Sequence, residues 1–261
     1  MRNFISSKIN SVYKDTLISA AGIVVVLVFW HVLATEYPPL ILPSPVETLT
    51  ALKSLWQSGQ VWPNCLITLQ RALTGFGLAF FAGFLLALLG QANRFCRTLL
   101  RPLVTIVQIV PPVVWIILAV IWFGVAKDLT VVFLIFMVTF PVVFINIYAG
   151  LDSIDFQLVE MARVYRCSMR QIITDIYLQS LMPHLVSAAS IGIAFAWKST
   201  VFAEFLGSSS GVGFALSMAN NNLETEKVFA WTLILIAVML AFEYGILQAV
   251  KRKAARWMRH E

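Results

Sequence analysis

The chain has 261 residues, of which 59% are hydrophobic and only 12% are charged, and its mean hydropathy is +0.84. A soluble domain usually has about 25% charged residues, so this composition excludes a soluble globular protein and indicates a protein of the lipid bilayer. The net charge of +6 does not indicate a nucleic-acid partner, because the basic residues flank apolar segments and form no groove.

Six apolar stretches are long enough to cross a hydrocarbon core of about 30 Å, which takes roughly 20 helical residues. The predicted spans are residues 17–35, 66–90, 103–123, 129–150, 184–206 and 228–250. The first also resembles a secretory signal peptide, but a run of about 18 apolar residues is long for one, and we treat it as a span. The sequence thus predicts an all-α membrane protein in which residues 1–261 form a single transmembrane domain.

Lysine and arginine residues are unequally divided between the two sides of these spans. With the N-terminus inside, the cytoplasmic segments contain Arg2, Lys8, Lys14, Arg94, Arg97, Arg101, Arg163, Arg166, Arg170, Lys251, Arg252, Lys253, Arg256 and Arg259. The outer segments contain only Lys53, Lys127 and Lys227. The positive-inside rule therefore places both termini in the cytoplasm.

Between the first two spans, residues 42–47 begin a short amphipathic helix. Its apolar residues recur at helical spacing and are Leu49, Leu52, Leu55 and Trp56. We expect this helix to lie on the outer membrane surface, where Trp56 and Trp62 suit the interface between lipid and water.

Prolines and small residues mark the next spans. Pro111, Pro112 and Pro141 each remove a backbone donor, which predicts a kink or interruption in the third and fourth spans. Such a bend either lines a transport path or is an ordinary packing kink, and the sequence does not decide between these. In the second span, Ala79, Gly83 and Ala87 recur every four residues and predict close approach of a neighbouring helix.

Charged residues inside or near the ends of spans are functional candidates, because an unpaired charge in lipid is costly. They are Arg71, Lys198, Glu204 and Glu243. Arg71 and Glu204 both lie toward the outer face and are placed to pair with each other. Lys198 lies nearer the middle, where it either attracts an anionic substrate or forms a structural ion pair. The path or gating candidates are therefore Pro111, Pro112, Pro141, Lys198 and Glu204.

Enzymatic and nucleotide-binding motifs are absent from the sequence. It has no G-x-x-x-x-G-K-[ST] loop and no H-E-x-x-H motif. The glycine- and serine-rich residues 207–213 resemble a phosphate loop but lack its lysine. Cys65, Cys96 and Cys167 have no metal-ligand spacing. We therefore expect no catalytic site, metal or cofactor on this chain, and any ATP must be bound by another chain.

The predicted cytoplasmic segment 151–183 is unusually long and basic for a turn that connects two spans. Leu158, Met161, Ala162 and Tyr165 fall at helical spacing, and a second amphipathic helix is predicted from Met169, capped by Ser168 and ending before Pro183. This loop resembles the EAA loop of permease subunits of bacterial ABC importers, through Glu160, Ala162, Ile176, Leu178 and Pro183. At three positions the chain departs from the pattern of this loop: Met161 replaces an alanine, Arg166 replaces its glycine and Gln179 replaces its proline.

The resemblance extends over most of the chain, to the nitrate, sulfonate and taurine branch of that family. The similar features are LPSP at 42–45, Arg71 with Gly75 and Phe76, RPL at 101–103, Pro111 and Pro112, WFG at 122–124, Phe140 and Pro141, AGL at 149–151, Ala196 and Trp197, Ala203 and Glu204, and Leu206 and Gly207.

The resemblance implies a type I ABC importer permease fold with six transmembrane helices in the bacterial inner membrane. It implies a homodimer of permeases, two ATPase subunits that bind ATP and Mg, and an extracytoplasmic substrate-binding protein. The implied ATPase-coupling residues are Glu160, Met161, Ala162, Arg163, Tyr165, Arg166, Ser168 and Arg170.

At Arg166 we expect the geometry of the coupling turn to differ from the family's usual form, because arginine rarely adopts the positive φ that glycine allows. The implied substrates are small solutes such as a sulfonate, taurine, nitrate or a vitamin precursor. The alternative function is a secondary transporter or channel that needs no ATPase, although we find no internal repeat typical of such carriers.

Overall fold

The structure is a computed structural model that describes residues 21–242 together with Ile18 and Gly245. All regular elements within this part of the chain are helices. They are α1 (Ala21–Glu36), α2 (Pro45–Gln57), α3 (Val61–Ala92), α4 (Arg94–Ile109), α5 (Pro112–Phe123), α6 (Asp128–Asp152), α7 (Phe156–Val164), α8 (Met169–Gly207), α9 (Val212–Asn221) and α10 (Thr225–Phe242).

Four of these helices, α3, α6, α8 and α10, are long and apolar enough to cross a membrane. They correspond to the second, fourth, fifth and sixth predicted spans. The helix of the first predicted span, α1, is apolar but shorter. Residues 246–250 of the sixth span and the charged Glu243 lie outside the described residues.

The chain divides into two compact units, and the larger comprises Val61–Ser217 and Ile234–Glu261. Within it, α6 is the central helix and packs against α3, α4, α5 and α8. Small residues on α3 allow the close approach to α6. A Cβ atom added at Gly83 would lie 2.9 Å from Cγ1 of Val143, and Ala79 and Ala87 are fully buried. This confirms the predicted small-residue stripe.

The third predicted span is not one straight helix. It is divided into α4 and α5, which meet at an angle of 94° across Val110 and Pro111. Val110 has the extended backbone (φ −65°, ψ 123°) that a following proline enforces, and Pro112 begins α5. The interruption predicted from the two prolines within the span at 103–123 is thus confirmed.

Pro141 behaves differently from Pro111 and Pro112. It lies inside α6, which continues without interruption from Asp128 to Asp152. The side chain of Pro141 is buried among the helices packed around α6. A membrane helix tolerates an internal proline where neighbouring helices surround the weakened turn.

The smaller unit comprises Met1–Gln60 and Met218–Leu233. Here α2 begins at the predicted place, with a capping box in which Ser44 N–H donates to Glu47 (2.7 Å) and Glu47 N–H donates to Ser44 Oγ (3.2 Å). The indole N–H of Trp30 donates to the carbonyl of Pro43 at 3.0 Å, and its ring stacks on Phe229. Of the predicted apolar face of α2, only Leu55 is buried.

We expect Gly83→Ala to lower the thermal unfolding midpoint of the purified protein, because the added methyl group would overpack the contact with Val143 at a cost of about 1–3 kcal/mol. Gly77→Ala is the matched control, since a Cβ atom at Gly77 meets nothing within 4 Å. Equal midpoints for the two variants would contradict the packing of α3 on α6 described here.

Candidate functional site: the coupling segment and the outer ion-pair cluster

The coupling segment, residues 151–183, contains α7 and the first part of α8. Asp155 caps α7 by accepting a hydrogen bond from the N–H of Gln157 at 2.8 Å. Ser168 caps α8 in a capping box, as predicted: its N–H donates to Gln171 Oε1 (2.8 Å), and its Oγ accepts from Gln171 N–H (3.3 Å). The sequence encodes both helix starts locally, through residues that satisfy the free N–H groups of a first turn.

The turn between the two helices is a Schellman motif centred on Arg166. The N–H of Cys167 donates to the carbonyl of Ala162 at 2.9 Å, and the N–H of Arg166 donates to that of Arg163 at 3.0 Å. Arg166 has φ 56°, which is the left-handed conformation that glycine favours. The expectation that arginine would avoid this conformation is therefore wrong, and the turn keeps the backbone that a glycine would provide.

The second helix does not end before Pro183. Instead α8 runs for 39 residues from Met169 to Gly207, which includes the whole fifth predicted span. Residues Ile172–Tyr177 form a π-helical turn in which Leu178 N–H donates to the carbonyl of Ile173. The coupling segment is therefore joined to a membrane span by unbroken helix, and the predicted stop at Pro183 is wrong.

Burial divides α7 into two faces. Val159 and Ala162 are buried and pack in the same apolar core cluster as Ile154 and Ile172. Outside this buried face, α7 and its C-cap residue Tyr165 leave five apolar side chains exposed, which we call the coupling surface: Phe156, Leu158, Met161, Val164 and Tyr165. Val164 and Tyr165 are the most exposed, at 80% and 76%.

The sequence-predicted coupling residues lie together around this surface. Glu160, Arg163, Arg166, Ser168 and Arg170 are exposed beside it, and of the eight predicted residues only Ala162 is buried. Sequence reasoning missed Phe156, Val159 and Val164. The spacing of Val159 and Ala162, three residues apart, was a signal for the buried face, whereas the sequence analysis noted only the helical spacing of Leu158, Met161, Ala162 and Tyr165.

A second group missed by the sequence analysis lies at the base of the coupling segment. Asp152, the last residue of α6, accepts from Arg97 at 2.8 Å and lies 3.6 Å from Arg101. Both guanidinium groups also lie over the ring of Tyr148, at 5.7 and 4.7 Å from its centroid. These contacts attach α4 to the end of α6 immediately before α7.

The end of the larger unit away from the coupling segment, which is the predicted outer end, is built around Arg71. Its guanidinium lies 3.0 Å from Oε1 of Glu204 and 2.5 Å from Oδ1 of Asp128, which joins α3 to α8 and α6. Glu204 is fully buried and also accepts from Thr68 Oγ1 (2.8 Å) and Gly213 N–H (3.0 Å). The predicted pairing of Arg71 with Glu204 is confirmed, while Asp128 was not foreseen.

The same cluster fixes the loop after α8. Arg71 donates to Ser208 Oγ (3.0 Å) and to the Ser210 carbonyl (2.8 Å). Gly211 has φ 99°, and a Cβ atom there would collide with the Glu204 carboxylate. The glycine and serine residues that resemble a phosphate loop therefore have a packing role around Glu204.

The remaining path candidates are placed apart from one another. Pro111 and Pro112 are exposed at the bend between α4 and α5, and Pro141 is buried in α6. Lys198 is exposed on α8 and forms no ion pair within the described part of the chain. Among the described residues, no three His, Cys, Asp or Glu side chains are grouped so as to hold a metal ion.

The sequence and the fold both resemble known transport proteins. The sequence model of a family described as binding-protein-dependent transport system inner membrane component matches residues 76–255. A putative aliphatic sulfonates transport permease of Escherichia coli is 30% identical over 217 residues, covering 83% of this chain and 82% of that protein. The taurine transport system permease of the same organism is 25% identical over 251 residues, covering 94% and 90%.

Among solved structures, a chain of the MetNI methionine ABC transporter in an inward-facing conformation matches with a TM-score of 0.58 and 19% identity. The match covers 74% of this chain and 95% of that one. A chain of an amino acid ABC transporter matches with a TM-score of 0.57 and 13% identity, covering 80% and 98%. At these identities the similarity shows a shared fold.

We expect Arg71→Met to lower the thermal unfolding midpoint strongly, because it leaves the buried Glu204 carboxylate without its cation, at a cost of about 3–5 kcal/mol. The double variant Arg71→Met, Glu204→Gln removes both charges and should recover part of the loss. Arg97→Met is the control, since its pair with Asp152 is half exposed and is worth about 1 kcal/mol or less. Equal effects of Arg71→Met and Arg97→Met would contradict a buried pair.

We expect Arg166→Val to loosen the coupling turn, because a β-branched residue is strained at positive φ, and Arg166→Gly to tighten it by about 1 kcal/mol. Hydrogen exchange of the α7 amides measures this directly: they should exchange faster in Arg166→Val and more slowly in Arg166→Gly than in the wild type. Arg163→Val is the control, with the same loss of charge inside α7. Equal exchange in the two valine variants would contradict the role of the backbone at Arg166.

Proposed function

This chain belongs to the family of binding-protein-dependent transport system inner membrane components, and from that membership we propose that it carries a small sulfonate, taurine, nitrate or vitamin precursor into the cytoplasm. It is the multi-pass permease subunit of an ABC importer, and a separate ATPase chain hydrolyses the ATP. The alternative of a secondary transporter or channel without an ATPase does not agree with this family. The similarity to sulfonate and taurine transport permeases supports the proposed substrate class.

We propose that residues 1–261 act as one permease domain with six spans and both termini in the cytoplasm. The four long helices, the bent pair α4 and α5, and the apolar α1 support six crossings. The excess of lysine and arginine on one side supports the orientation. In this topology, α7 lies in the cytoplasm and the loop at residues 208–211 lies on the outer side.

The observation that carries the coupling proposal is the coupling surface itself. Four exposed apolar side chains on a helix of nine residues, together with Tyr165 at its C-cap, form a patch that a soluble surface seldom leaves uncovered. In the proposed topology this patch lies outside the bilayer, so lipid does not cover it. We propose that the partner ATPase covers it, with Glu160, Arg163, Arg166, Ser168 and Arg170 forming a polar rim.

Movement of the ATPases would reach the membrane through α7 and α8. Because Val159 and Ala162 pack in one core cluster with Ile172, α7 moves with the start of α8. Asp152 passes the same movement to α4 through Arg97 and Arg101. Closure of the ATPases on ATP and Mg would thus tilt α8 and the bent pair, opening the path outward and then inward.

Two copies of this chain would form the path, with two ATPases beneath them and an extracytoplasmic binding protein delivering the solute from outside. Within this assembly, the exposed Pro111 and Pro112 at the bend and Pro141 in the central helix remain candidates for gating. Glu204 acts indirectly, because its carboxylate is fully buried and engaged by Arg71. It would position the outer loop that faces the binding protein.

The overall proposal is tested by uptake into proteoliposomes that contain this chain, its partner ATPase and its binding protein. Uptake of a radiolabelled solute identified by its co-purification with the binding protein should require ATP on the ATPase side. Uptake that continues without ATP, driven by an ion gradient, would refute the importer function.

We expect Tyr165→Asp to reduce co-purification of the ATPase about tenfold or more, because a carboxylate would be desolvated at the centre of an apolar contact. Leu223→Asp is the matched control: Leu223 is an equally exposed apolar residue in the outer region and should leave the ATPase bound. Retention of the ATPase by Tyr165→Asp would show that α7 does not dock in the proposed way.

A further inference from the structure

Lys198 lies on an exposed face of α8 that is not packed against the described core of the larger unit. The exposed residues Ile191, Phe195, Lys198 and Phe202 fall within about 60° of one another around the helix at 100° per residue. The opposite face, which includes Ala196 and Ala203, is buried against the core of the larger unit. We call the exposed face the Lys198 stripe.

The depth of Lys198 makes lipid an unfavourable neighbour. It lies nine residues before the end of α8 at Gly207, which is about 14 Å along the helix axis and near the middle of the span. A lysine side chain reaches roughly 6 Å, so its ammonium does not extend to the headgroups by snorkelling. A charge held at this depth in hydrocarbon costs several kcal/mol at least, so it must face water or protein.

No carboxylate described in the larger unit is available to neutralise this ammonium. Glu204 and Asp128 are bound to Arg71, and Asp152 is bound to Arg97. The other described carboxylates of the unit, Asp155, Glu160 and Asp175, all lie in the coupling segment, toward the cytoplasmic end. Whatever faces Lys198 therefore comes from outside the described part of this unit.

We infer that Lys198 is an anion-binding residue in the solute path, where one ammonium from each of two facing copies holds the oxyanion group of a sulfonate-class solute. This rests on the proposed importer function. An ammonium offers three donors to the three oxygens of a sulfonate, and a narrow path of low dielectric strengthens the attraction. Phe195 and Phe202 border the lysine one turn away on either side.

Thiol labelling tests whether the Lys198 stripe is accessible to water and whether the lysine charge attracts anions there. The experiment does not require the natural solute to be known. The protein is prepared in the assembled complex with Cys65, Cys96 and Cys167 replaced by serine, and Phe202→Cys places one thiol beside Lys198. The probes are 2-sulfonatoethyl methanethiosulfonate, which is an anionic sulfonate, and its cationic trimethylammonium counterpart. Rates are measured with and without trapped nucleotide, and each is divided by the rate with a free thiol.

We expect the thiol at position 202 to react in at least one state, with the anionic probe favoured about tenfold over the cationic one. Lys198→Gln should abolish this preference, and Lys198→Arg should retain it. Leu78→Cys, on an exposed part of α3, is the control, since its reactivity should not depend on Lys198.

Two results would overturn the inference. If Phe202→Cys reacts with neither probe in either nucleotide state, the stripe faces lipid or protein and does not line a water-accessible path. If it reacts but Lys198→Gln leaves the preference unchanged, the ammonium does not act on anions in the path. ATP hydrolysis stimulated by the binding protein is measured on the same samples, so a failure of the importer function is seen separately from a failure at Lys198.

Discussion

The ion pair between Arg71 and Glu204 is the interaction on which the outer half of the larger unit depends. A fully buried carboxylate is stable only when its charge and its lone pairs are satisfied. Here Arg71, Thr68 and the N–H of Gly213 satisfy Glu204, and the same guanidinium continues to Asp128. One side chain on α3 thereby fixes the start of α6 and the end of α8, which leaves the exposed stripe of α8 facing outward from the bundle.

The inner half depends on packing and helix continuity. The apolar cluster that contains Ala162 and Ile172 seats α7 on the start of α8, and α8 then crosses the membrane without a break. At about 1.5 Å per residue, its 39 residues extend nearly 60 Å, about twice the thickness of the hydrocarbon core. In the proposed mechanism, a tilt imposed at the coupling surface would be delivered to the level of Lys198 by one continuous helix.

Composition and local patterns predicted much of this architecture, because apolar runs, helix caps and paired prolines determine the backbone conformation of residues close to them in the sequence. The long helices, the Ser44 and Ser168 caps and the interruption at Pro111 are of this kind. The features that sequence analysis missed or predicted wrongly depend on contacts between residues that are far apart in the sequence. Asp152 and Asp128 meet their arginines only through the fold, and Pro183 stays helical because tertiary surroundings override its local effect. Arg166 adopts positive φ because the Schellman hydrogen bonds around it outweigh a cost of about 1–2 kcal/mol.

The π-helical turn at Ile172–Tyr177 shifts the phase of α8. A hydrogen bond that spans five residues in place of four inserts one extra residue, which rotates everything beyond it by about 100° relative to a uniform α-helix. The parts of α8 before and after this turn therefore belong to two different helical wheels. A single wheel drawn from Met169 would assign the wrong residues to the side that carries Lys198, and cross-link designs that relate the two ends must include this offset.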